Sequence, residues 1–259
     1  MTHFVGRYRL LLIILCCLVS RVDRSYSAVS EKAIRNELAQ PKNKATQEAL
    51  RLPLGERVSA LQMQGPQGYR NLRDIMFDDK QTMEARWRSV TAIGIIGGAD
   101  SVPELERALQ SKEWYLRNAG LLAIMKVDRK KAIKWSRALL SDRAMVVRAA
   151  AVDALSELKD PSSVNLLWTK LNAKENFKGK QSLFIRRRII ETLAQLDGTG
   201  REAKFVSVLA DSDESLHAPA IHALERITAK TMGEPQEPVK FKKAHWQRWW
   251  KEKSDAASM

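Results

Sequence analysis

Between residues 85 and 224 the apolar and polar positions return in blocks. The segment Val147 to Leu155 (VRAAAVDAL) recurs 31 residues earlier as Leu116 to Ile124 (LRNAGLLAI), and 31 before that as Ala85 to Ile93 (ARWRSVTAI). It returns 38 residues further on as Ile185 to Leu193 (IRRRIIETL), and after another 31 as Leu216 to Leu224 (LHAPAIHAL). A basic column runs Arg86, Arg117, Arg148, Arg186, His217. A small-residue column runs Ala92, Ala123, Ala154, Thr192, Ala223, and an aliphatic column Ile93, Ile124, Leu155, Leu193, Leu224. A second apolar segment keeps the same register, with Leu105, Ser136, Leu167 and Phe205, then Leu109, Leu140, Leu171 and Leu209. Spacings of three and four place these residues along one face of a helix.

Each unit is therefore two helices, divided by turn signals at Gly97-Gly98, Lys159-Asp160-Pro161 and 197–200. Units close at Ser111, Asp142 and Asp211, where a helix needs a capping side chain. A looser unit precedes them, with helices around Arg57–Leu61 and Tyr69–Met76. The count is five to six pairs within 45–233, after a polar lead-in at 28–44. One such pair cannot bury its apolar face alone, so stacking must complete the core.

This pattern resembles the HEAT-repeat family, in particular the short bacterial units of the bilin-lyase type. The resemblance rests on Val147, Arg148, Ala149 and Ala150 with Ala154 and Leu155, then Asp160-Pro161-Ser162 and Leu166, Leu167 and Leu171. It implies an all-α, right-handed superhelical solenoid. It implies no single function, because scaffolds, lyases, glycosylases and hydroxylases share this frame.

Three departures from the repeat carry the functional expectations. The step of 38 inserts seven residues within 172–182. Lys174, Phe177, Lys178 and Lys180 of that loop, with Arg187 and Arg188, make a candidate contact patch for an anionic partner; a solvated surface insertion is the plainer reading. Arg186 belongs to the basic column and is expected to tie adjacent units together. Of the tryptophans inside the repeats (Trp87, Trp114, Trp135, Trp168), most are expected to fill gaps between helices, while an exposed subset could form an aromatic groove. After a proline-marked linker at 234–239, the segment 240–259 carries Trp246, Trp249 and Trp250. With Phe241 they fall mostly on one helical face, either as a cap over the open end of the solenoid or as a docking helix for a membrane or partner.

The chain has 259 residues with 44 Lys plus Arg against 30 Asp plus Glu, a formal charge of +14. The first 27 residues hold only four of those cations and one of the acids, so the body is itself basic. Arg7 and Arg9 precede the apolar run Leu10–Val19, which is too short to cross a bilayer comfortably and reads as a secretory signal peptide over 1–27. Cleavage after Ser20 or Ser27 fits, as does retention as an uncleaved anchor. The two cysteines, Cys16 and Cys17, both lie in this run, leaving the rest without disulfide, thiolate metal site or cysteine nucleophile.

No catalytic motif appears. His217 and His222 are five apart and do not share a helical face. The cluster 211–215 (DSDES) lacks the glycine and distant glutamate of a calcium loop and reads as helix capping. The expectation is an exported, periplasmic or secreted, non-enzymatic interaction scaffold with no cofactor. Its partner would be another protein with an acidic surface, or an anionic envelope polymer or membrane surface. Export argues against nucleic acid.

Overall fold

The computed structural model describes residues 43–258. The signal-peptide reading and most of the polar lead-in lie outside them. Helices α1 (Lys44–Arg51), α2 (Leu54–Met63) and α3 (Gly65–Phe77) open the chain. Then come α4 (Met83–Gly97) and α5 (Val102–Leu109), α6 (Trp114–Val127) and α7 (Arg129–Leu139), α8 (Met145–Glu157) and α9 (Val164–Leu171). After a two-stranded hairpin, β1 (Phe177–Lys178) with β2 (Gln181–Ser182), follow α10 (Ile185–Leu196), α11 (Glu202–Val208), α12 (His217–Thr228) and α13 (Val239–Ala257). The fold is an all-α solenoid of helix pairs.

Local chemistry sets the boundaries. The Thr82 hydroxyl accepts from the Ala85 N–H and starts α4; the Asp128 carboxylate accepts from Lys131 N–H and starts α7. Helix α4 stops at Gly98, whose φ of 48° suits a residue without Cβ. Ser111, Asp142 and Asp211 each accept from the backbone N–H two residues on, turning the chain into the next unit.

The periodic columns become the core. Ile93, Ile124, Leu155, Leu193 and Leu224 are fully buried, and Leu105, Leu109, Leu140, Leu167, Leu171, Phe205 and Leu209 are buried in the other helix of each pair. The small-residue column is buried too. Beside it Gly94 approaches Ala123 so closely that a Cβ at 94 would lie 3.0 Å from the Ala123 Cβ.

The Arg-bearing helices α4, α6, α8, α10 and α12 touch one another in sequence. Helices α5, α7, α9 and α11 instead pack chiefly against the Arg-bearing helix of the following unit. The stack is thus tighter on the Arg-bearing side, which makes that layer the inner, concave one. At the C-terminal end α13 lies across α11 and α12. It starts at Val239, one residue inside the expected linker.

Candidate functional site

The basic column is a buried ladder. Arg86, Arg117, Arg148 and Arg186 sit at the starts of the inner helices, nearly out of solvent. Each guanidinium faces two ways. Backwards it donates to carbonyls at or just past the end of the preceding helix: Arg86 to Met76 and Arg186 to Leu171 in the last turn, Arg117 to Ser111 and Lys112 and Arg148 to Asp142 and Arg143 in the loop. The helix-end carbonyls have no partner inside their own helix. Forwards it reaches the loop of the next unit: Arg86 to the Tyr115 hydroxyl (2.8 Å), Arg117 to both Asp142 oxygens (2.6 Å each), Arg148 to Asn176 (3.0 Å), Arg186 to Asp211 (2.6 Å). Arg57, at the start of the ladder, donates only to Leu52 O, and His217 closes it against Asp211 O. The planar fork of Arg suits one side chain serving several acceptors.

The inserted loop belongs largely to this ladder. Asn176 is buried, taking Arg148 on its oxygen and donating to Lys170 O. Ser182 accepts from Arg186 and donates to Asp213. Phe177 lies half-buried with the Arg186 guanidinium 4.6 Å from its ring centre. Arg187 pairs with Glu191 at 2.8 Å and Arg188 with Asp153, so these two are charge-matched. Lys174, Lys178 and Lys180 are exposed and make no ion pair among the described residues. The structure therefore divides the expected patch into a half-buried Phe177, two exposed but paired arginines, and three lysines with no ion pair among the described residues.

The C-terminal tryptophans sit as a cover. Trp246 is 0% exposed, and Trp249 and Trp250 are partly buried against the core, with the Trp246 and Trp249 rings edge-on at 5.2 Å. Phe241 departs from the expectation of a shared face: it is 48% exposed, beside Lys240.

The tryptophans within the repeats split evenly. Trp135 donates its indole N–H to Glu106 and Trp168 to Asp197, both partly buried in the outer layer. Trp87 and Trp114 are 38% and 43% exposed on the inner face. They wall a cleft of about 490 Å³ between α4 and α6, completed by Met83, Glu84, Tyr115 and Asn118. Trp87 also opens a second groove of about 500 Å³, whose walls include Ile95, Leu122, Met125, Lys126 and Glu157. Between Met83 and Ile95 the two extend about 18 Å along α4, at 1.5 Å per residue. From Glu157 onward the inner face turns charged, with Asp153, Arg187, Arg188, Glu191 and His222. Sequence reasoning missed Glu84, Tyr115 and Asn118 as cleft residues.

The displaced acids are occupied in structure. Hydrogen bonds from Arg186 hold Asp211 below the ordinary carboxylate value. Burial pushes Asp142 and Asp160 up, but hydrogen bonds from Arg117 to Asp142, and from Ser162, Ser163 and Arg137 to Asp160, leave both lowered. Burial, helped by Glu104, raises the Tyr69 phenol to about 12. Among the described residues no three His, Cys, Asp or Glu side chains group to hold a metal ion, and no helix is long and apolar enough to cross a membrane.

Comparison with known families meets this geometry at the repeats. Residues 108–183, spanning α6 to the hairpin, match the model for HEAT repeats. The chain carries HEAT repeats. Residues 85–111 of this HEAT-repeat chain, covering α4 and α5, match the PBS lyase HEAT-like repeat, which is the short bilin-lyase type. The matched stretches contain the Arg86, Arg117 and Arg148 rungs and every wall of the tryptophan cleft except Met83 and Glu84. No curated protein matches the HEAT chain.

Proposed function

We propose that this HEAT-repeat chain is an exported, non-enzymatic scaffold of the cell envelope that holds another protein on its inner face. One observation carries the reading: Trp87, Trp114, Ile95 and Leu122 stand in solvent along α4 and α6, although the core beneath them is complete. A run of large apolar side chains lining connected grooves on a concave face is a docking feature. The displaced carboxylates favour a non-enzymatic role, being lowered by structural hydrogen bonds and not raised toward acid–base work. A lyase-type activity is the alternative that the PBS lyase HEAT-like match keeps in view. Export rests on Arg7, Arg9 and Leu10–Val19.

The test pairs two baits in an envelope extract, the wild-type chain and a Trp87→Ala/Trp114→Ala variant with the same melting temperature. A protein retained by the first and lost by the second supports the reading; identical retention sinks it. Fusion of residues 1–35 to a reporter active only outside the cytoplasm tests export, and a silent reporter removes the localisation.

A second reading has its own observation, the unpaired Lys174, Lys178 and Lys180 at the hairpin. They would steer an anionic partner by long-range attraction. Lys178→Glu/Lys180→Glu would then slow association most at low salt. An association rate unchanged at low salt reduces the hairpin to its role in the ladder.

A further inference from the structure

The body of this chain is strongly basic, and among the described residues several of its aromatic rings lie under its own cations. Arg107 lies over Phe77, Arg186 over Phe177, Arg188 over Phe184, Lys204 over Trp168, Lys240 over Phe241, and Lys230 and Lys253 over Trp249. Among the described residues four aromatic side chains are exposed: Trp87, Trp114, Phe184 and Phe241. Phe184 and Phe241 carry a cation of the chain; Trp87 and Trp114 do not, among the described residues. These two are the walls of one cleft.

Beside the indoles the cleft is lined by a carboxylate, a thioether, a phenol ring and an amide. Glu84 is its one charged residue, and its carboxylate is 64% exposed while paired on one side with Arg88. The Asn118 side-chain oxygen is buried without a hydrogen-bond partner. Met83 contributes a thioether and Tyr115 a ring. The nearby cations are already engaged. Arg86 sits behind Tyr115, bonded to its hydroxyl and to Met76 O, and Arg88 turns away to Leu50 O and Glu84. The cleft thus offers the exposed side of the Glu84 carboxylate and two indole faces that carry no cation among the described residues, in a chain of strongly positive net charge. Indole faces attract cations through the ring quadrupole, best of the aromatic side chains.

We infer that the Trp87–Trp114 cleft receives a cationic side chain, lysine or arginine, presented by the partner protein; this rests on the inner face being the docking surface. The charged head is held against the indole faces, and the exposed Glu84 carboxylate, shared with Arg88, accepts from it. The aliphatic stem lies against Met83, and the flanking residues of the partner run into the second groove toward Ile95 and Leu122.

The test uses the full chain and three small probes followed through the indole N–H signals of Trp87 and Trp114 by NMR. N-acetyl-argininamide should shift both signals and bind about threefold to thirtyfold more tightly than N-acetyl-citrullinamide, its uncharged isostere, the span expected for a cation on aromatic faces. Glu84→Gln should weaken the arginine probe. Trp87→Phe should keep most of its binding and Trp87→Leu lose it, because an aliphatic side chain has no face to offer. Equal binding by the citrulline probe, or tightest binding by N-acetyl-leucinamide, overturns the inference and leaves an apolar docking groove, with the scaffold reading intact. If no probe moves either indole signal, the inference falls; the scaffold reading falls with it only if the Trp87→Ala/Trp114→Ala bait also keeps its partner.

Discussion

Removing the carboxylate of Asp142 should be among the most damaging single changes available in this molecule. Asp142 accepts both forks of Arg117 at 2.6 Å, and the two side chains are only 5% and 7% exposed. The same carboxylate accepts from the Ala144 N–H, so it also sets the entry to α8. Asp142→Ala leaves the Arg117 guanidinium buried with two carbonyl partners and no counter-charge. Stranding one member of a buried pair costs about 3–5 kcal/mol. In a chain of this size that corresponds to a melting temperature lower by roughly 6–20 °C. The control is the double variant Asp142→Ala/Arg117→Met, which removes the stranded charge and should recover part of the loss while still exposing Ser111 O and Lys112 O. Urea unfolding followed by far-ultraviolet circular dichroism and by tryptophan fluorescence gives the comparison, and two probes reveal any loss of cooperativity along the stack. If Asp142→Ala costs no more than a surface change, or if the double variant is worse than the single by the full cost of Arg117→Met alone, the ladder is not a coupled structural element and the reasoning fails.

Three further outcomes are expected. Leu155→Ala truncates a fully buried residue of a central inner helix and should cost about 2–5 kcal/mol, whereas Lys178→Ala should stay within about 0.5 kcal/mol; equal effects in a denaturant titration would mean the register is wrong. Deleting 240–259 uncovers the face beneath the fully buried Trp246 and should lower the melting temperature and raise binding of a hydrophobic dye; an unchanged melt would make α13 an appended element and not a cap. Asp142, Asp160, Asp211 and Asp213 all have folded-state pKa values below the ordinary 3.8. Their contribution to stability is therefore complete above that value and drains away as pH falls from it through the lowered folded values. Thermal melts should be flat in this contribution from pH 6 to 8 and drop below about pH 4, and Asp142→Asn should make the acid limb shallower; an acid limb identical to wild type would remove Asp142 from the account.

Most of the fold was legible because a repeat states its register several times over. The aliphatic column alone placed five residues that are all fully buried, from Ile93 to Leu224. The basic column was legible as a tie between units, but its partners were not. Asp142 and Asp211 both follow their arginines by 25 residues and were legible only as unit-closing caps, while Tyr115 and Asn176 stand at 29 and 28 with other chemistry, so no single column reveals the set. The inserted loop was harder to read for a related reason. Its lysines are visible as charge, while its buried member, Asn176, is an unremarkable polar residue whose role exists only once Arg148 reaches it. The tryptophan cleft was half legible. Trp114 and Trp87 share columns with Glu214 and Arg187 but also with Leu183 and the buried Ala149, so the repeat alone does not tell that they face solvent. Trp135 and Trp168 looked equivalent in composition and differ only in pointing to Glu106 and Asp197.

The ladder has a consequence for how such a chain can change over time. Because each arginine draws its forward acceptor from the neighbouring unit, and that acceptor is a phenol, a carboxylate, an amide and again a carboxylate, the units are not interchangeable bricks. Excising the 31-residue unit from Ser111 to Ser141 keeps the Asp142 carboxylate at the new junction but takes away Tyr115, so Arg86, whose old acceptor was a neutral hydroxyl, would meet a charged one. Duplicating the unit that ends in the hairpin would carry Asn176 with it and place Arg148 before the same amide twice. Length is therefore gained or lost most easily by cuts that keep each arginine with an acceptor it can reach. Each repeat carries an address, written in the side chain its neighbour supplies, and a cut that parts an arginine from any such acceptor strands a buried positive charge.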